Sequence, residues 1–141
     1  MEVTMGEPAT RADAFLRAAT IAFVIGWGLD AIDHLRRGFA AAPLTLTYLA
    51  ATHAVLIAVA VTMILRQRRH APEATVIVGS ASVLGLGYVH LMPSYWPSVQ
   101  DSFVSGPRVD VTWFSWVTML ISIAAAVVWA HAGSRALILR D

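Results

Sequence analysis

Three side chains capable of acid–base or metal chemistry fall close together in Trp27-Gly28-Leu29-Asp30-Ala31-Ile32-Asp33-His34-Leu35-Arg36-Arg37. On a helix Asp30 and His34 are four residues apart and share a face. Trp27 continues that face inward. The stretch closes an apolar run. Carboxylates and imidazoles are costly at the end of a membrane helix, so they carry a functional expectation. Imidazole and carboxylate together are ligands for zinc, copper, iron or manganese. The expected metal set is Asp30 and His34 from one helix and His90 as a third ligand, with His53 or Asp33 completing it. Trp27, Tyr48 and Asp110 are read as supporting residues. Asp-x-x-Asp-His is not a specific motif, and neither His-Glu-x-x-His nor Glu-x-x-His occurs.

Haem b is a second cofactor reading, since a bundle can hold haem between two facing axial histidines. His53 and His90 are the pair for it, although their depths along the helices differ by several ångströms. A structural alternative stands beside both. Asp30 can pair with His34 or Arg37, and His53 can donate to a carbonyl, to Tyr48 or to Thr52. Asp33, Arg36 and Arg37 can be solvated headgroup residues, and buried polar groups also act as glue between membrane helices. No nucleophile elbow, phosphate loop or dinucleotide fingerprint is present.

The composition says where such a cluster must sit. Of 141 residues, 57% are hydrophobic and 13% charged, against about 25% charged in soluble domains. Mean hydropathy is +0.65. An integral membrane protein of one domain, residues 1–141, is expected. The net charge of +1 gives no field that would draw nucleic acid. The absence of cysteine excludes disulfides, thiolate metal sites and a cysteine nucleophile.

Four helices are expected to position the cluster, at about 14–36, 44–66, 73–92 and 110–132, after a polar tail at 1–13. The uninterrupted core of the first run, Ala18 to Leu29, is short for a span, which needs about 17–25 residues. A signal peptide cut near Ala40-Ala41-Ala42 is its rival. The mixed charge of the tail and the charges after Leu29 fit that reading badly, so the helix is expected to be retained. Gly38 and Pro43 mark the first turn. Arg66 to His70 is a basic stop. The third run is rich in small residues, Gly79, Ser80, Ser82, Gly85 and Gly87, read as helix-packing positions. Pro93, Pro97 and Pro107 make 93–109 a loop. Tyr95, Trp96 and Phe103 suit a membrane interface, as do Trp113, Trp116 and Trp129 in the last run. Asp110 is the expected N-cap of that run.

With four spans, Arg11, Arg17, Arg66, Arg68, Arg69, Arg135 and Arg140 fall on the side of the termini, and Arg36, Arg37 and Arg108 on the other. Seven arginines against three place both termini in the cytoplasm. The fold expected is thus an all-α, multi-pass four-helix bundle in the cell membrane. Its Asp/His cluster opens to the extracytoplasmic face. The bilayer is its first partner, with other membrane subunits or a second copy as further ones. Three functions are compatible: a binding or accessory subunit holding a metal ion or small polar ligand, a small enzyme using Asp30 and His34 on a lipid, quinone or sterol, and a purely structural subunit.

Overall fold

An apolar segment has to satisfy its own backbone in lipid, and a helix does so locally. The computed structural model describes residues 7–139. It is all-helical: α1 is Glu7–Arg37, α2 Leu44–Leu65, α3 Ala71–Leu86 and α4 Trp113–Ile138. α3 continues through a wider π-helical turn, Gly87–Leu91. All four helices are long and apolar enough to cross a membrane, with spans of 21 to 27 residues. α1 takes in residues 7–13, read above as tail. Residues 1–6 of that tail, and Arg140, lie outside the described residues.

The boundaries follow local chemistry. α1 ends at Gly38, whose φ of 81° is open to glycine, and whose N–H reaches back to His34 O at 3.1 Å. α2 ends in a Schellman pattern: Arg68 N donates to Met63 O and Gln67 N to Ile64 O. There Gln67, not glycine, takes the left-handed conformation, with φ 51°. α4 begins later than expected. Its N-cap is Thr112, in a capping box with Ser115, while Asp110 is an exposed turn residue with φ 49°.

α4 lies between α1 and α3, α2 packs on α3, and α1 barely touches α2. The four helices therefore form an arc with a gap between its first and last members. Trp129, expected at the interface, is instead the centre of the core with no exposed surface. It stacks on Phe23 at 4.3 Å and donates from Nε1 to Thr20 Oγ1 at 2.9 Å. A ring this large suits the core only because that N–H finds a partner. The small-residue reading holds where α3 meets α4. A Cβ on Gly79 would come within 3.1 Å of the Ala130 backbone, and one on Gly133 within 3.0 Å of Pro72 O. It does not hold at Gly85, where a Cβ would meet nothing within 4 Å.

Candidate functional site

The connections at the Arg37 end of α1 converge with the last turn of α3. Asp33, read from the sequence either as a member of the metal set or as a solvated headgroup residue, is 1% exposed. Its Oδ1 accepts from Arg36 Nε at 3.0 Å and Nη2 at 2.8 Å. Arg36 Nη2 also donates to Asp110 O at 2.9 Å and Ser115 Oγ at 3.2 Å. This group ties the end of α1 to the start of α4. It also corrects the supporting role given to Asp110, which contributes a backbone carbonyl.

The sequence offers Arg37 either as a partner for Asp30 or as a solvated headgroup residue. Its side chain is fully buried and grips Asp101 with both guanidinium arms, Nη1 to Oδ2 and Nη2 to Oδ1 at 2.8 Å. Its Nε donates to Val109 O at 2.9 Å, and its guanidinium lies 5.1 Å from the centre of the Phe103 ring. Burying two charges is tolerable only with such complete pairing. Phe103, read as interfacial, is 1% exposed because it packs against this guanidinium.

The π turn explains how the loop carrying Asp101 and Phe103 stays in place. A helix end leaves its last carbonyls without intrahelical donors. Here the loop supplies them. Gln100 Nε2 donates to Tyr88 O and Pro93 O, both at 3.1 Å. Asp101 N donates to Val89 O at 3.2 Å, Phe103 N to His90 O at 2.9 Å, and Ser102 Oγ to Met92 O at 2.7 Å.

The histidines divide into two groups. His90 is 1% exposed and its Nδ1 donates to Asp101 O at 3.0 Å. His34 Nδ1 donates to Asp30 O at 3.1 Å, stands 3.8 Å from Asp30 Oδ2, and its Nε2 is 3.6 Å from Asp101 Oδ2. The His34 and His90 ring centres are 5.4 Å apart. Asp30, His34 and His90 therefore do meet, around Asp101. His53 is held apart from this knot by Ser82 Oγ, 2.9 Å from its Nε2.

These side chains share a cavity of about 660 Å³. It fills the gap between α1 and α2, is backed by α3 and is roofed by Trp96 and Val99 of the loop. Trp27, Asp30, His34, His53, Ser82, Tyr88 and His90 are on its wall, and the remaining lining is mostly aliphatic. Tyr48 is not on the wall. It sits 66% exposed on the outer side of α2, so its supporting role is withdrawn.

The geometry does not support the metal reading. Among the described residues no group of three or more His, Asp or Glu side chains could hold a metal ion. A cation at the knot would meet the Arg37 guanidinium already seated on Asp101. The separations of 3.6–3.8 Å between imidazole nitrogens and carboxylates are those of neighbours in an ion-pair network. Metal bonds are near 2 Å.

Arg37, Asp101, Ser82 and Tyr88 are the members that sequence reasoning missed as site residues. A signal existed for one of them: Ser82 lies on the same small-residue run as Gly79. Nothing in the sequence separated Arg37 from the equally basic Arg36. Compared with known proteins, the chain matches no family model, no curated protein and no solved structure.

Proposed function

We propose that the chain is a multi-pass membrane protein that binds an apolar small molecule from the bilayer, of the lipid, quinone or sterol kind, in the cavity between α1, α2 and α3. The observation that carries this reading is the cavity itself. Its volume of about 660 Å³ lies in the range of about 300–1,000 Å³ for small-molecule sites. Its wall is largely apolar with a few polar groups converging at one end, as such sites are built. A purely structural cluster would pair all its polar atoms internally. Here Asp30 Oδ1 and Tyr88 OH have no hydrogen-bond partner.

Gly85 supplies the test, since a side chain there enters open space on the cavity wall. Gly85→Leu is expected to project into the cavity and obstruct it while leaving the fold intact, because leucine also favours helix over glycine by about 0.5–1 kcal/mol. Organic extraction of the purified wild-type protein should release an apolar molecule in stoichiometric amount, and Gly85→Leu should release little. Equal recovery from both proteins would overturn the reading. A catalytic version of it uses the Asp30–His34 pair at the cavity wall as acid and base. Chemical conversion of the extracted molecule by the wild type, lost in Asp30→Asn, is its signature.

The arginine asymmetry supports an orientation with both termini in the cytoplasm and the cavity in the outer half of the bilayer. Exposed positions at the two ends, Gln67 and Ser98, suit single-cysteine labelling in a chain that has no other cysteine. In intact cells an impermeant reagent is expected to label Ser98→Cys and spare Gln67→Cys. The reverse pattern would invert the orientation.

A further inference from the structure

We propose that the molecule bound in this cavity carries a hydroxyl head, an apolar alcohol or phenol, and not a carboxylate or phosphate. The inference rests on the reading of the cavity as a binding site and concerns which head it selects. It follows from which atoms the polar wall has left to offer.

His53 is the first case. The Ser82 hydroxyl has one hydrogen, and it donates it to Val78 O at 2.8 Å. Ser82 Oγ can therefore only accept from His53 Nε2, 2.9 Å away. In a neutral ring that fixes the tautomer and leaves Nδ1 as an acceptor. His90 repeats the logic with its nitrogens exchanged. Its Nδ1–H is given to the Asp101 carbonyl, so the neutral ring keeps Nε2 as an acceptor. Asp30 is the third, with its side chain 8% exposed, in a residue of the cavity wall and with Oδ1 unpartnered.

The wall thus presents acceptors at these three residues, and the same tautomer argument adds His34 Nε2, since His34 Nδ1–H is given to Asp30 O. Among the described residues its unused donors are Tyr88 OH, buried without a partner, and the indole N–H groups of Trp27 and Trp96. A hydroxyl matches that set, because it donates one hydrogen to an acceptor and can take one from the tyrosine. Three nearby carboxylates, Asp30, Asp33 and Asp101, face two guanidiniums, Arg36 and Arg37. Both guanidiniums are already committed to Asp33 and Asp101, and neither is on the cavity wall. An anionic head would meet excess negative charge and no free cation. A methyl ether of the same size would leave the acceptors dry and unmatched, and such unmatched buried polar groups are what discriminate best between similar ligands.

Three probes with one tail separate the heads: hexadecanol, hexadecyl methyl ether and palmitate. Trp27 and Trp96 on the cavity wall report occupancy by fluorescence in nanodiscs, with Gly85→Leu as the reference for non-specific partitioning. Hexadecanol is expected to bind at least about tenfold tighter than the ether or palmitate, the ratio that one hydrogen bond to a charged or buried acceptor supplies. That preference should shrink in His53→Phe, which keeps the ring volume, and in Asp30→Leu. Should Asp30→Leu fail to fold, His53→Phe alone decides. Ether or palmitate binding as tight as hexadecanol, and abolished by Gly85→Leu, would overturn the hydroxyl assignment while the cavity remained a binding site. No saturable binding by any probe, or binding indifferent to Gly85→Leu, would overturn the cavity reading together with it.

Discussion

Arg37→Ala is expected to be the most damaging single change in the protein, lowering stability by about 3–5 kcal/mol, the range for breaking a buried ion pair from one side. The substitution leaves the Asp101 carboxylate, itself 6% exposed, without the guanidinium that meets both its oxygens. His34 and His90, at 3.6 and 3.8 Å, are the only other groups near enough to compensate among the described residues. The same change removes the donor to Val109 O and the guanidinium packed on Phe103, so α1 and the loop lose their joint together. A thermal-denaturation series in detergent checks this. The double variant Arg37→Met with Asp101→Leu should recover much of the loss, because well-packed apolar residues often replace a buried pair at little cost. Arg37→Ala unfolding with an unchanged midpoint would show that the pair contributes nothing.

Trp129→Ala is expected to follow, with a loss of about 3 kcal/mol, the low end for aromatic-to-alanine changes in a core. The low end applies because lipid tails are as apolar as the core, which leaves packing and hydrogen bonding as the terms that hold membrane helices together. Both are lost here. The indole fills the space between α1 and α4 by stacking on Phe23, and its N–H satisfies Thr20. Trp129→Phe separates the two. It keeps a ring against Phe23 and loses only the hydrogen bond, for which about 1 kcal/mol is expected. Thr20 still donates to Leu16 O, so its hydroxyl is not orphaned. Equal losses for Ala and Phe would mean that the hydrogen bond, not the packing, is what Trp129 contributes.

Asp30, His34 and His90 were legible as one neighbourhood because two simple rules bring them there. Helix geometry puts Asp30 beside His34, and antiparallel connections of apolar spans return α3 to the same end. The role of that neighbourhood was not legible. Metal ligation and ion pairing use the same side chains, and the choice depends on what else stands within hydrogen-bonding distance. Arg37 decides it, through Asp101, 64 residues away in the chain. Trp129 shows the same limit. Its place near the end of an apolar helix suits an interface anchor, and only the helix's rotation against α1 turns it to the core. Thr112 in place of Asp110 as N-cap is a smaller case: Thr112 has the extended backbone and the Ser115 partner of a capping box, while Asp110 sits in a turn at φ 49°.

What the sequence determined by itself is the number of helices, their apolar character and the turns that separate them. Those follow from local physics: backbone groups in lipid must bond within their own segment, and glycine and proline punctuate the chain. What only the tertiary structure decided is that α2 stands away from α1. That gap leaves a cavity with Asp30, His34, His53 and His90 on its wall. The reason is physical. α2 is apolar around most of its surface, with Leu49, Leu56 and Val59 exposed, so its sequence marks no face for a partner helix. Its position is set by a few contacts with α3, His53 on Ser82 among them, and such contacts between distant residues have no signature in sequence spacing.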